Sequence, residues 1–364
     1  MPSPVRYSPS VEQVQPDEAD TIAKLEEQFK HIQDTTSKDF GHGFRAVHAK
    51  AHGIARGTLT VADDVPAEFR QGLFASPGSY EAVLRISTNP GDILDDSIAL
   101  PRGLALKVIG VEGDRLPGSD GDAVQDFVLV NGPAFAAPDA KKFLGNLAML
   151  AKTTDKAEGA KKALSSVIRA FEAGLEAVGM PSAKLQQMGG APQSHPLGET
   201  YYSQTPFRFG EYIAKFRLKP VSRELTELTG TTVSTSGRPD ALREEVNRSM
   251  IEHGGRWALE VQLCTDLDKM PVEDATVQWD EDASLFVSVA TLECPPQLSW
   301  EHGVSEKLDD ELAFGPWNGL AAFRPLGGVN RARREPYQKS AAYRGAVNGC
   351  PMHQPRSAAE LERA

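Results

Sequence analysis

His48 stands in the segment FRAVHAK (44–50), behind an arginine and a valine, and the residue types there suit a strand-like setting. Imidazole has an unperturbed pKa of about 6.5, so it can take a proton from one atom and return it to another near neutral pH. A lone histidine is more often a hydrogen-bonded core residue, and its companions must decide. Arg85 and Ser87 lie two residues apart in VLRISTNPGD (83–92). On a strand that spacing puts a guanidinium and a hydroxyl on one face. Arg333 precedes Tyr337 by four residues, which on a helix places them one turn apart on one face. A phenol titrates near pH 10, so a phenolate at neutral pH needs a stabilising cation. Pro336 falls between the two. A proline is accepted only in a helix's first turn, so the helix is expected to begin near Arg333 and not at Asn330. Arg45, Arg85 and Arg344 could pair bidentately with carboxylates, although each alone also suits a surface salt bridge. His48 and His52 have the spacing of two metal ligands on a helix, but the nearby Gly53 and Gly57 and the β-type residues argue against a helix there.

The elements that must position these groups are legible from periodicity. Residues 1–16 carry Pro, Ser and Val without a period and read as an arm on the surface or on a neighbouring subunit. Asp17 caps a helix in which Ile22, Leu25, Phe29 and Ile32 recur at helical spacing. From about 44 to 135 the pattern changes to period two, at Leu59 and Val61, Val83 to Ser87, Leu106 and Val108, and Phe127 and Leu129. Clusters of Gly, Pro and Asp separate these runs, as in an antiparallel sheet or barrel. Residues 138–190 read as helical, with Leu164, Val167, Ile168, Phe171 and Leu175 forming an apolar stripe in the second helix. Strands return at 211–220, 256–265 and 283–293, with a helix at about 239–252. The whole predicts one α+β domain.

Composition excludes some functions. The chain has 364 residues and a formal net charge of −11, which argues against a nucleic-acid partner because phosphate binding requires a concentrated basic face. Three widely spaced cysteines, Cys264, Cys294 and Cys350, offer no disulfide framework and fit a reducing compartment. No run of about 18 apolar residues and no apolar leader is present, so the reading is a cytoplasmic protein without a membrane partner.

Taken in order, FRAVHAK, VLRISTNPGD, PRGLALKV (101–108), VNGPAF (130–135) and NRARREPYQKSAAYR (330–344) resemble the haem catalases across residues 40–345. Within that superfamily the chain resembles the short catalase-related peroxidases. This resemblance implies a catalase-like eight-stranded antiparallel β-barrel with inserted helices and a C-terminal helical segment, formed by residues 17–346 and followed by a mobile tail at 347–364. It implies haem b, with Tyr337 ligating the iron and Arg333 stabilising its phenolate. Arg45, Arg85 and Arg344 would bind the two propionates, and Val47 and Phe143 would contact the porphyrin. His48 would be the distal acid–base group, Ser87 its hydrogen-bond partner and Asn131 a second distal group that orients peroxide. The implied activity is reduction of hydrogen peroxide or organic hydroperoxides through a ferryl haem, with a small organic electron donor and a homo-oligomeric assembly. A mainly peroxidatic balance is expected from the reduced architecture. A fatty-acid hydroperoxide isomerase or lyase on the same scaffold, and a non-enzymatic haem-binding protein, are the alternatives. The chain departs from the family twice: VNGP replaces NNTP, and Pro336 enters the tyrosine segment. Phe143 also fits a core position on the first inserted helix, and Asn131 a turn before Gly132 and Pro133.

Overall fold

The computed structural model describes residues 3–151, 193–350, 352 and 354–362. Among the described residues nine strands form one antiparallel sheet: β1 (Ala51–Val61), β2 (Gly78–Thr88), β3 (Arg102–Ile109), β4 (Val124–Val130), β5 (Tyr201–Tyr202), β6 (Phe207–Phe209), β7 (Tyr212–Pro220), β8 (Gly255–Leu263) and β9 (Phe286–Cys294). Their order is β5-β4-β3-β2-β1-β9-β8-β7-β6, and β5 also pairs with β7. That pairing closes an eight-stranded barrel, with the short β5 and β6 following one another along a single edge of β7. Closure removes the exposed sheet edges that would otherwise invite pairing with another chain.

Alternation decides which residues fill the barrel. Ala82, Leu84 and Ile86 of β2, Leu104, Leu106 and Val108 of β3, and Phe127 and Leu129 of β4 join Phe216, Leu218, Leu259, Val261 and Leu292 in one apolar cluster. Burying each larger side chain contributes roughly 1.5–3 kcal/mol, and an eight-stranded barrel is just wide enough for side chains to fill it. Residues of opposite parity therefore face outward: Arg85 and Ser87 of β2, and Gly103, Ala105 and Lys107 of β3. In the β2–β3 register Ser87 lies opposite Gly103 and Arg85 opposite Ala105. The expected sharing of a face by Arg85 and Ser87 holds, and that face is the outside of the barrel.

Helices that pack around it among the described residues include α1 (Glu18–Phe40), α2 (Ala140–Ala151), α3 (Ala241–Glu252), α4 (Val304–Glu311), α5 (Gly328–Arg331) and α6 (Arg334–Asn348). Leu25, Phe29 and Ile32 of α1 are buried against Ala46, Ala140 and Ala332. Asp17 holds the N-cap position of α1 but caps nothing with its side chain, which pairs with Lys141 at 2.6 Å instead. Gly41 ends α1 at φ 67, a left-handed conformation that glycine adopts without a Cβ penalty. The expected second helix with its Leu164 to Leu175 stripe lies outside the described residues.

The N-terminal segment lies on its own barrel, where Val5 N–H donates to Cys264 O and Tyr7 N–H to Glu211 O, each at 2.8 Å. The segment read as a mobile tail has packed residues: Leu361 is buried among Ile54, Val83, Ile109, Val124 and Leu312. Gln354 accepts from the buried Lys107 at 2.7 Å. No helix among the described residues is long and apolar enough to cross a membrane.

Candidate functional site

Residues 44–50 do not form a strand. They run as an irregular link from α1 to β1, which begins at Ala51. The cause is local: His48 adopts φ 58, a left-handed backbone conformation that no strand accommodates. Three hydrogen bonds enforce it. His48 N–H donates to Asn89 O at 2.7 Å, Ala49 N–H to Pro90 O at 2.9 Å, and Arg85 Nη2 to His48 O at 3.0 Å. Lys50, almost fully buried, anchors the same link through Asp96 at 2.8 Å and the carbonyls of Leu94 and Pro239. Gly91 allows the close approach, since a Cβ there would stand 2.0 Å from Ala46 O.

The imidazole that results lies against the outer face of the barrel. Ser87 Oγ and His48 Nδ1 are 3.2 Å apart, which fixes one ring nitrogen. Gly103 lies beneath the ring, and a Cβ built there would sit 2.4 Å from His48 Cε1 and 2.5 Å from Nδ1. The opposed positions of Ser87 and Gly103 in the register thus explain both contacts. Gly103→Ala is expected to push the ring aside and to destabilise the fold by about 1–3 kcal/mol. Urea denaturation checks this, and an unchanged midpoint would mean that the ring has free space to move. Removal from water, followed by the positive charges of Arg85, Arg333 and Arg45, pushes the His48 pKa down to about 3. His48 is therefore a neutral imidazole at neutral pH, able to accept a proton.

His48 shares a cleft with Val47, Arg45, Arg85, Ser87 and Gly103 from the barrel side and with Pro336, Tyr337, Ser340 and Arg344 of α6. Arg333 occupies the N-cap position of α6, so Pro336 falls in the first turn, as its chemistry requires. Tyr337 N–H donates to Arg333 O at 3.3 Å, which preserves the one-turn spacing. The Arg333 guanidinium is braced by Asn330 Oδ1 at 3.2 Å and Thr205 Oγ1 at 3.3 Å, and it lies 5.4 Å from the Phe135 ring centroid. Burial lowers its pKa, and Tyr337 is the partner whose charge opposes that shift.

The three remaining arginines converge on the end of α4, two of them on a carboxylate the sequence did not reveal. Arg85 donates to Asp309 from Nε at 2.6 Å and from Nη2 at 3.0 Å, and Arg45 Nη1 lies 2.8 Å from the same carboxylate. Arg344 binds the carbonyls of Asp309, Asp310 and Leu312 at 2.8, 3.1 and 2.9 Å. Asn131 and Phe143 are not among the cleft-lining residues. The Asn131 side chain accepts from Arg102 N–H at 2.7 Å and donates to Glu199 at 2.9 Å. Phe143, on α2, packs against Phe135 with ring centroids 5.1 Å apart and against the α1 cluster.

Neither a family model nor a curated protein matches the chain. Among solved structures it is similar to a fungal catalase, with a TM-score of 0.59 and 18% identity over 86% of this chain and 63% of that one. Catalase A from Saccharomyces cerevisiae gives a TM-score of 0.59 and 18% identity over 85% and 65% of the two chains. A bacterial catalase gives 0.58 and 17% over 96% and 66%. The chain thus spans about two thirds of the length of these structures. Its fold is catalase-like, as the order of its sequence motifs implies.

The chemistry of the cleft fits a haem. A phenol and a neutral imidazole line one cleft, apolar Val47, Val128 and Leu129 contribute to its walls, and three arginines stand together at its boundary. Arg344 Nε is buried without a hydrogen-bond partner, a donor available to an acceptor on a bound ligand.

Proposed function

We propose that this chain is a haem-dependent peroxidase of catalase type, acting on hydrogen peroxide or organic hydroperoxides with a small organic electron donor. The observation that carries the reading is the presence of His48 and Tyr337 in one cleft together with the Arg45, Arg85 and Arg344 cluster. Tyr337 would hold the iron of haem b through its phenolate oxygen, stabilised by the Arg333 charge, while the arginine cluster would hold the propionates and Val47 would contact the porphyrin. Bound haem supplies the electrons that reduce a peroxide.

The protein's part is proton management. Ser87 engages Nδ1 of His48, which leaves Nε2 to exchange protons within the cleft. Because the ring is neutral, it can accept the proton of the attacking peroxide oxygen and return it to the leaving oxygen. Asn131 supports this arrangement indirectly: by accepting from Arg102 N–H it fixes the start of β3, adjacent to the Gly103 floor. A homo-oligomer in the cytoplasm, with an arm at 1–16, a haem domain at 17–346 and a tail at 347–364, belongs to the same proposal.

An absorption spectrum of the purified chain titrated with haem tests the reading first. A Soret band that saturates at one haem per chain is expected, and its absence would overturn the assignment. Oxygen release and donor oxidation are then compared in steady state, using hydrogen peroxide and a bulky hydroperoxide. Donor oxidation is expected to dominate. Oxygen release far in excess, with no reaction from the bulky hydroperoxide, would place the activity with the true catalases.

A further inference from the structure

Arg45, Arg85 and Arg344 line the cleft, whereas Asp309 does not, so the carboxylate stands behind the guanidiniums as seen from a ligand. It is nonetheless their organising charge. Arg85 meets it through two parallel bonds, Arg45 meets it through a third, and the three carbonyls at the end of α4 receive Arg45 and Arg344. Asp309 is only 8% exposed. Three positive charges against one negative leave a net charge of two, equal and opposite to a ligand with two carboxylates. Planar guanidiniums recognise carboxylates only when their forks are correctly aimed, and a second anion on the far side holds that aim. The unpaired Nε of Arg344 is an independent sign that this cluster is incomplete without an acceptor.

We propose that Asp309 is a positioning residue, aiming the arginine cluster at the two carboxylates of a porphyrin; this rests on the haem reading above. The proposal opposes simple electrostatics in sign. If only net charge mattered, neutralising Asp309 would strengthen the binding of a dianion. If Asp309 sets the geometry, neutralising it weakens that binding.

The test titrates the full chain with iron-free protoporphyrin IX and with its dimethyl ester, which lacks both charges, following porphyrin fluorescence. The wild type is expected to prefer the free acid. Asp309→Asn is expected to lower affinity for the acid by about tenfold or more, a loss of about 1.4 kcal/mol or more, while affinity for the ester changes little. Asp309→Glu retains the charge but displaces it, and its acid-to-ester ratio is expected to fall between the two. Equal or tighter acid binding by Asp309→Asn, or a parallel loss for the ester, overturns the proposal. Should Asp309→Asn fail to fold, the Asp309→Glu ratio decides alone, and a value equal to wild type overturns it. A wild type that binds neither porphyrin refutes the haem reading itself. One that binds acid and ester equally keeps the porphyrin site and removes the arginine clamp.

Discussion

Tyr337→Phe is expected to abolish stable iron ligation while leaving the fold intact. The substitution keeps the ring that helps to line the cleft and removes only the oxygen that would reach the metal. Backbone geometry should not change, because Tyr337 N–H donates to Arg333 O within the first turn of α6 and Pro336 already occupies a position where its missing N–H costs nothing. Arg333→Ala should weaken ligation less, since it removes the stabilising charge and leaves the donor atom. Thermal melts of the three proteins and their ferric haem spectra provide the measurement. A Tyr337→Phe spectrum identical to wild type would mean that the iron ligand lies elsewhere in the chain.

Much of the barrel was legible because one face of each strand is buried in a single core. Alternation in β2, β3 and β4 therefore survives in the sequence, and it placed Arg85 and Ser87 together. The start of α6 was equally legible, because Pro336 must fall within the helix's first turn. The conformation of His48 was not. Its left-handed backbone depends on Asn89 and Pro90 and on close approaches at Gly91 and Gly103, contacts that no window around residue 48 contains. Asp309 was hidden for a different reason. Within KLDDEL it looks like part of a solvated acidic helix face, and only the folded chain shows that this one carboxylate turns inward to Arg45 and Arg85. Asn131 followed the same logic in reverse, since the polar partner that draws it to one side, Glu199, is far away in sequence.

His48→Ala is expected to leave haem bound and to reduce peroxide turnover by about 10² to 10⁴, the usual contribution of a positioned general acid–base group. The residues proposed to hold the iron stay in place in this variant, because Tyr337 and Arg333 belong to α5–α6 and the link between them, whereas His48 belongs to the segment before β1. Turnover of the wild type and the variant under single-turnover conditions tests the claim, and an unchanged rate of reaction with peroxide would remove His48 from the mechanism. The same substitution carries an independent signature in the cofactor-free chain. Unfolded histidine takes up its proton near pH 6.5, whereas folded His48 does so only at about 3, because it is withdrawn from water and faces Arg85, Arg333 and Arg45. Between those values the unfolded state binds the extra proton. Stability is therefore at its full value above about pH 6.5 and declines as the pH falls towards 3. Urea midpoints measured across that interval should fall less steeply for His48→Ala than for the wild type. Equal slopes would show that His48 already exchanges protons freely with solvent in the folded chain, and would contradict its neutral, enclosed state as a proton acceptor.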